Sequence, residues 1–401
     1  MVNRKNDDLQ VKKVGEHLQG KSIALCISGG IAAIEAPKIA RHLRRYGAEV
    51  RAYVSPSTYE FVGKAALEWG TGQEVVDRLS GMAEHICLDD LVLVTPATLN
   101  TVNKMFSGIA DNPMMTLIGS ALGKKVPVYI APTMHESMYQ NPFLLDNLAR
   151  AEKYGVHVFA PRIEEGKAKM PHIDTIVAAV CRELSNGPLK GKKMLVTGGP
   201  TAGKLDDVRR LTTIFSGELG VLIAKEAYLR GADVKLLLGK TKMPIPEYLP
   251  LQFHGDYEEY RQNVFAELER GYDIGIFSAA VADYIPSEVY QGKIPSQGEL
   301  KSIPVKQTAK VIAEVRQRFQ ELYMATFKYE CGLTREELLA IARGRVERGY
   351  QLVVANRGED MVGGEHKAYI VGKEEVLAEP WSKREIAQQL MGVIGSEYGK
   401  R

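Results

Sequence analysis

A few short segments concentrate the residue types that hold anions or move protons. Ser28-Gly29-Gly30 lies between an apolar run and an amphipathic one. Glycine lets backbone approach a phosphate, and a helix N-terminus offers unpaired N–H groups, so one reading is an anion site. The other is a glycine turn kept for steric reasons. Ser55 closes the next apolar run. Pro96-Ala97-Thr98-Leu99-Asn100-Thr101 brings small residues and hydroxyls that suit a flat ring or a phosphate; Thr98 or Asn100 also reads as a helix N-cap. His85, in Glu84-His85-Ile86, is a general-base candidate near neutral pH, against the plainer reading of an exposed or structural imidazole. Pro132 to Tyr139 (PTMHESMY) could wall a flat apolar ligand with Met134 and Met138, or place two core methionines four residues apart. In the second half, Gly198-Gly199-Pro200-Thr201 again follows an apolar run, but the GxxxxGK[ST] spacing of a P-loop is absent. Ser278 to Tyr284 (SAAVADY) ends in Asp283, which suits Mg²⁺ or a nucleobase, or caps a turn. Lys293, in Gly292-Lys293-Ile294, could clamp a polyphosphate or be simply solvated.

These segments need a scaffold, and the apolar pattern supplies one. Ser22 to Ile27, Glu49 to Val54, Leu91 to Thr95 and Val126 to Ala131 read as buried strands. A helix is expected from Ile31 to Tyr46, stopped by Gly47. Strand, turn, helix, strand at this spacing predicts βαβ units and a parallel sheet, with ligands at the carboxyl ends of the strands. Polar Ser185 to Lys193 (SNGPLKGKK) reads as a linker. The pattern then restarts with strands at Lys193 to Thr197 and Val234 to Leu238, around a helix from Gly217 to Arg230. The expected organisation is an N-terminal extension (1–20), an α/β domain (21–186), a linker (187–192) and a second α/β domain (193–401).

Composition narrows the function classes. The chain has 401 residues, 45% hydrophobic and 25% charged, as soluble globular proteins do. Lys and Arg total 52 against 49 Asp and Glu, a net charge of +3, too balanced to suggest a nucleic-acid partner. No apolar run approaches the ~20 residues a membrane helix needs, and residues 1–10 lack a signal-peptide core. Cys26, Cys87, Cys181 and Cys331 have no metal-ligand spacing, which favours a reducing cytoplasm.

Taken in order, SGGIAA, EHICL, PATLNT, SGIADNP, PTMHESMYQNP, VTGGPT, SAAVADY and VAN resemble the bifunctional flavoprotein of coenzyme A biosynthesis, in its archaeal form. The resemblance covers nearly all of the chain after residue 20. It implies a flavodoxin-like phosphopantothenoylcysteine decarboxylase followed by a Rossmann-like phosphopantothenate–cysteine ligase. For the first half it implies FMN contacts at Ser28, Gly29, Gly30, Ser55, Ala97, Thr98 and Asn100, with His85 as the catalytic histidine. In that chemistry the cysteine thiol is oxidised toward a thioaldehyde, CO₂ leaves, and hydride returns from the reduced flavin. Substrate contacts would come from His135, in place of the family's Asn, and from Met138. The family's flexible clamp carries a proton-donating Cys; Arg162 to Met170 (RIEEGKAKM) has none, and Lys167 or Lys169 is the candidate to close over substrate.

For the second half the resemblance implies CTP and Mg²⁺, which activate the phosphopantothenate carboxylate as an acyl-cytidylate that the cysteine nitrogen then attacks. Nucleotide contacts would be Gly198, Gly199, Thr201, Ala280, Asp283, Lys293 and Phe327, with Asn356 in the VAN segment and no metal-ligating side chains assigned. Two positions depart from the family: Thr213 stands where an Asn is expected and Glu218 where a Lys is. A further expected Lys is Gly344, with Arg345 and Arg348 nearby. A decarboxylase with an impaired or altered ligase half is therefore one alternative, and a non-catalytic FMN-binding regulator another. The resemblance also implies a homo-oligomer, with decarboxylase trimers that build a dodecamer and ligase dimers, and small molecules rather than nucleic acid or membrane as partners.

Overall fold

Strands buried on both faces need near-continuous apolar runs. Leu91–Ala97, buried at every position, is such a run. The computed structural model describes residues 9–241, 243–295, 302–361 and 366–400. The chain divides into two compact units, Met1–Ser185 and Asn186–Arg401. In the first, a five-stranded parallel sheet runs in the order Glu49–Val54, Ser22–Ile27, Leu91–Ala97, Val128–Pro132, Val156–Val158. Numbered along the chain this is 2-1-3-4-5, the flavodoxin-like order, which reverses direction between the first and third strands. The loops after Ile27 and Ala97 flank that reversal.

The helix expected from Ile31 is instead a 3₁₀ turn, Ile31–Glu35, followed by an α-helix, Ala36–Arg45. Pro37 lacks an N–H and is accommodated only in the first turn of an α-helix, so the α-helix starts there. Gly47 ends the segment with φ 100°. A small antiparallel sheet joins Met134–His135, Lys167–Lys169 and Arg162–Glu164. Its hairpin turns at Glu165 and Gly166, both at positive φ (54° and 67°), as a type I′ turn requires. The extension packs back onto this unit. Leu18 is fully buried, and Leu18 N donates to Tyr46 O at 2.9 Å.

The second unit has an eight-stranded sheet. Six parallel strands lie in the order Leu251–His254, Asp233–Gly239, Lys193–Gly198, Ile274–Phe277, Tyr323–Glu330, Leu352–Arg357. That is 3-2-1-4-5-6, the Rossmann order, with Tyr369–Val371 and Val376–Ala378 added antiparallel at one edge. The segment read as a linker belongs to this unit rather than running free. Leu189 is buried in its core, and Gly191 N donates to Gly231 O at 2.9 Å. One apolar side chain with a place in a core is enough to dock a polar segment.

Leu18 fills a closed site, so Leu18→Ala should lower the stability of the first unit by about 2–5 kcal/mol. A lower urea midpoint at unchanged slope is the expected reading; an unchanged midpoint would show that the extension is dispensable.

Candidate functional site

Each sheet reversal opens a cavity. In the first unit it has a volume of about 830 Å³ and is lined by Gly30, Pro96, Thr98, His135, Met138 and Lys167 among others. The loops at its base are tied by hydroxyls. Ser28, buried, donates from Oγ to Pro96 O at 2.6 Å and accepts from Thr98 N at 3.0 Å. Gly29 N donates to Ser55 Oγ at 3.1 Å, and Ser55 Oγ shares hydrogen bonds with Ser57 Oγ (3.3 Å) and Thr58 Oγ1 (3.0 Å). Gly29 is required sterically: a Cβ there would lie 2.3 Å from Ser57 Oγ and 2.7 Å from the Ser57 carbonyl carbon. Thr98 caps the Leu99–Phe106 helix through Thr101 N.

The hairpin forms the facing wall. His135 pairs with Lys167 across it, and His135 Nδ1 lies 2.9 Å from Ser137 Oγ, capping a short helix turn. Lys169 is held by Glu164 (3.1 Å) and Glu165 (3.0 Å). Lys167 makes no ion pair among the described residues, so its ammonium is available to an anion in the cavity. Ser28 and Ala97 are buried beneath the cavity. Asn100 is exposed and does not line it.

The second cavity, about 510 Å³, lies at the other reversal point. Gly199, Thr213, Glu218, Ala280, Asp283, Phe327 and Asn356 all line it. Four cations, Lys310, Lys328, Arg345 and Lys383, face two carboxylates, Glu218 and Asp283, a balance that favours a polyanion. Asp283 is paired with Lys310 at 2.5 Å and Glu218 with Lys383 at 2.5 Å. Phe215 and Tyr329 meet edge to face at 5.4 Å beside Phe327, giving flat apolar surface for a base. Arg345 Nη1 donates to Phe327 O at 2.9 Å; its burial pulls the guanidinium pKa down from the usual arginine value. Asn356 Nδ2 is 3.1 Å from His366 Nε2. Burial and then Lys383 lower the His366 pKa, against the opposite pull of Glu218.

The flavoprotein family model matches residues 11–185, and the model described as DNA/pantothenate metabolism flavoprotein C-terminal domain matches residues 189–397. The coenzyme A biosynthesis bifunctional protein CoaBC of Thermococcus kodakarensis is 39% identical over 388 residues, covering 94% of this chain and 95% of that protein. The CoaBC protein of Methanocaldococcus jannaschii is 33% identical over 386 residues, 93% of each. The chain belongs to the CoaBC family.

As a CoaBC-family chain it positions its expected residues unevenly. Thr201 is fully buried beneath the second cavity, where its Oγ1 accepts from Ala282 N at 2.9 Å. Gly198 ends its strand and does not line the cavity; a Cβ there would lie 3.0 Å from Gly220 Cα. Lys293 is exposed outside the cavity, on a loop pinned by Asp207 and Asp206, which accept from Gly292 N (2.9 Å) and Ile294 N (3.0 Å). His85 is also exposed and lines neither cavity. Cys181 is buried within the Ile173–Leu184 helix, outside the first cavity. The sequence reading passed over Lys310, Lys383 and His366, because no local motif marks a residue that reaches a site from a distant element. Thr213 Oγ1 is buried without a hydrogen-bond partner among the described residues. No group of three metal-ligating side chains occurs among the described residues, and no described helix is long and apolar enough to cross a membrane.

Two outcomes follow from this geometry. Gly29→Ala should strip flavin from the purified protein, read as lost visible flavin absorbance after gel filtration, because Ser57 must shift. Asp206 gives a pH window. Burial alone would raise its pKa, but the N–H groups of Ile294, Arg209 and Val208, helped by Arg209's charge, bring it down to about 2. A depressed carboxyl contributes order above its unfolded value near 3.9 and loses it as pH falls through the folded value. Protection of the Val208 and Ile294 amides, corrected for intrinsic exchange, should hold at pH 4 and fall toward pH 2. Asp206→Ala should abolish it at neutral pH.

Proposed function

We propose that this chain makes phosphopantetheine in two steps, and the observation that carries the reading is the pair of differently furnished cavities at the two sheet reversals. The second unit ligates phosphopantothenate to cysteine at the expense of CTP, through an acyl-cytidylate with release of pyrophosphate. Four cations offset the phosphate charge that such a step concentrates. Mg²⁺ would offset phosphate charge there; among the described residues lining the cavity the carboxylates are Asp283 and Glu218, and each holds a lysine.

The first unit decarboxylates phosphopantothenoylcysteine. The hydroxyl-tied loops of Ser28, Ser55 and Thr98, and the close backbone approach at Gly29, fit FMN. Bound there, FMN supplies two-electron oxidation of the substrate thiol, which makes loss of CO₂ easy. The protein's own part is to bind and orient. Lys167 faces the substrate's phosphate or carboxylate, His135 offers a hydrogen bond from the opposite strand, and Met138 supplies apolar wall.

His85 needs a partner copy to reach a cavity. Its neighbours Met82 and Leu88 are each 83% exposed, and Ile31 and Phe143 are 74% and 72% exposed, a surface that fits a homo-oligomer. The four free cysteines fit a cytoplasmic setting. Thr213 and Glu218 favour one specific alternative, an active decarboxylase beside an altered ligase.

The test is mass spectrometry of products from phosphopantothenate, cysteine, CTP and Mg²⁺. Phosphopantetheine is expected. Product only when phosphopantothenoylcysteine is supplied would replace the ligase reading with the alternative. His85→Asn should keep flavin and lose about 10²–10⁴-fold in CO₂ release. Mixed oligomers of His85→Asn and Lys167→Ala chains should recover part of that activity; no recovery would place His85 and Lys167 on one copy's site. Asp283→Asn should cut pyrophosphate release by about tenfold or more while decarboxylation continues. An equal fall in both would refute two separate sites.

A further inference from the structure

Two helix N-termini meet at the second cavity. Glu218–Leu229 starts after Gly217, whose φ of 82° turns the chain into the helix. Lys383–Tyr398 starts after Ser382, whose Oγ accepts from Glu385 N at 3.2 Å. The inner faces of both helices, Ile223 and Ala227 on one and Ile386 and Leu390 on the other, belong to a single core. Each terminus carries the positive end of its helix dipole. A glutamate in a first turn suits that field; a lysine there opposes it. Lys383 nevertheless occupies the first position of a 16-residue helix. Glu385 in the same turn and an ion pair to Glu218 offset the cost of placing the ammonium there, so the lysine is held at that terminus rather than expelled from it.

Its surroundings indicate what it is held for. Lys383 Nζ contacts Glu218 Oε2 at 2.5 Å, and the two side chains are 35% and 36% exposed. One of three N–H donors meets the glutamate; no further hydrogen bond is made from Nζ among the described residues. Both residues line the cavity with Asn356 and His366. The ammonium arrives from the last helix and is fastened by Glu218 at the start of the other helix, between the two termini.

We propose that Lys383 is the cation that receives a phosphoryl group in the second cavity, with Glu218 as the positioning residue that holds it there. The proposal rests on the ligase reading above. The phosphoryl group can come from the nucleotide triphosphate or from phosphopantothenate, and substrate-resolved kinetics separates the two sources.

The full-length, flavin-loaded protein is assayed for pyrophosphate release with CTP and phosphopantothenate varied in turn. Lys383→Met should raise KM for one of them tenfold or more, with kcat changed less than threefold. The substrate whose KM moves identifies the source. The charge-reversed pair Glu218→Lys with Lys383→Glu keeps the ion pair and an ammonium between the two helix termini; it should recover most of the lost affinity. Glu218→Gln should give an intermediate KM. A merely structural pair would give a lower melting temperature with both KM values unchanged, and that result would overturn the proposal. So would a charge-reversed protein with native circular dichroism and flavin content that stays as impaired as Lys383→Met. If the unaltered chain releases no pyrophosphate, the ligase reading fails separately. Calorimetric titration with inorganic pyrophosphate then decides on Lys383, with tenfold weaker binding to Lys383→Met expected and equal binding overturning it.

Discussion

A serine hydroxyl bound to the carbonyl at the end of a neighbouring strand fixes the geometry of both cavities. In the first unit Ser28 Oγ donates to Pro96 O at 2.6 Å; in the second Ser278 Oγ donates to Thr197 O at 2.6 Å. Each bond spans the point where a parallel sheet reverses its strand order, and there the two flanking loops must diverge. Backbone groups beyond the last ladder bond have no strand partner and must be satisfied otherwise. The serines satisfy some of them and keep the loops from splaying. Everything placed on those loops, Gly29 and Thr98 in one unit and Gly199 and Ala280 in the other, inherits that spacing.

On this shared device the two units build different chemistry. The first cavity is walled by Met134, Met138 and the hairpin carrying Lys167, a largely apolar surround in which Lys167 makes no ion pair among the described residues. The second gathers lysines and an arginine around aromatic surface. Most of its cations are held by carboxylates. Lys310 on Asp283 and Lys383 on Glu218 avoid leaving several positive charges to repel one another in an empty cavity. A phosphate that enters meets ammonium groups already held in place, so less side-chain freedom is lost on binding. The same economy appears at Asp206, whose carboxylate organises the loop bearing Lys293 through backbone donors.

Much of this was legible in the chain. The apolar runs at Ser22, Leu91 and Lys193 are too continuous for surface strands, and the glycines, small residues and hydroxyls after them mark the loops that face the crevice. Gly199 and Asp283 were read from such segments, Phe327 from the resemblance, and all three line the second cavity. Thr201 was found too, but its hydroxyl serves the loop rather than the cavity. The expected helix at Ile31 failed at Pro37, where a missing N–H outweighed the amphipathic pattern. The linker reading of residues 187–192 failed at Leu189, whose burial composition could not reveal.

The sequence by itself determined the two parallel sheets, their loop chemistry and the family, because periodicity and ordered motifs are local properties. Only the tertiary structure decided which side chains share a cavity. Lys383 and Glu218 are separated by most of the second unit in sequence, yet the packing of their helices brings an ammonium and a carboxylate into contact. Lys293 and His85, singled out by their motifs, lie on the surface of this subunit. The physical reason is that strand order and helix packing, rather than sequence spacing, set which charges meet at short range, where their interaction is strong.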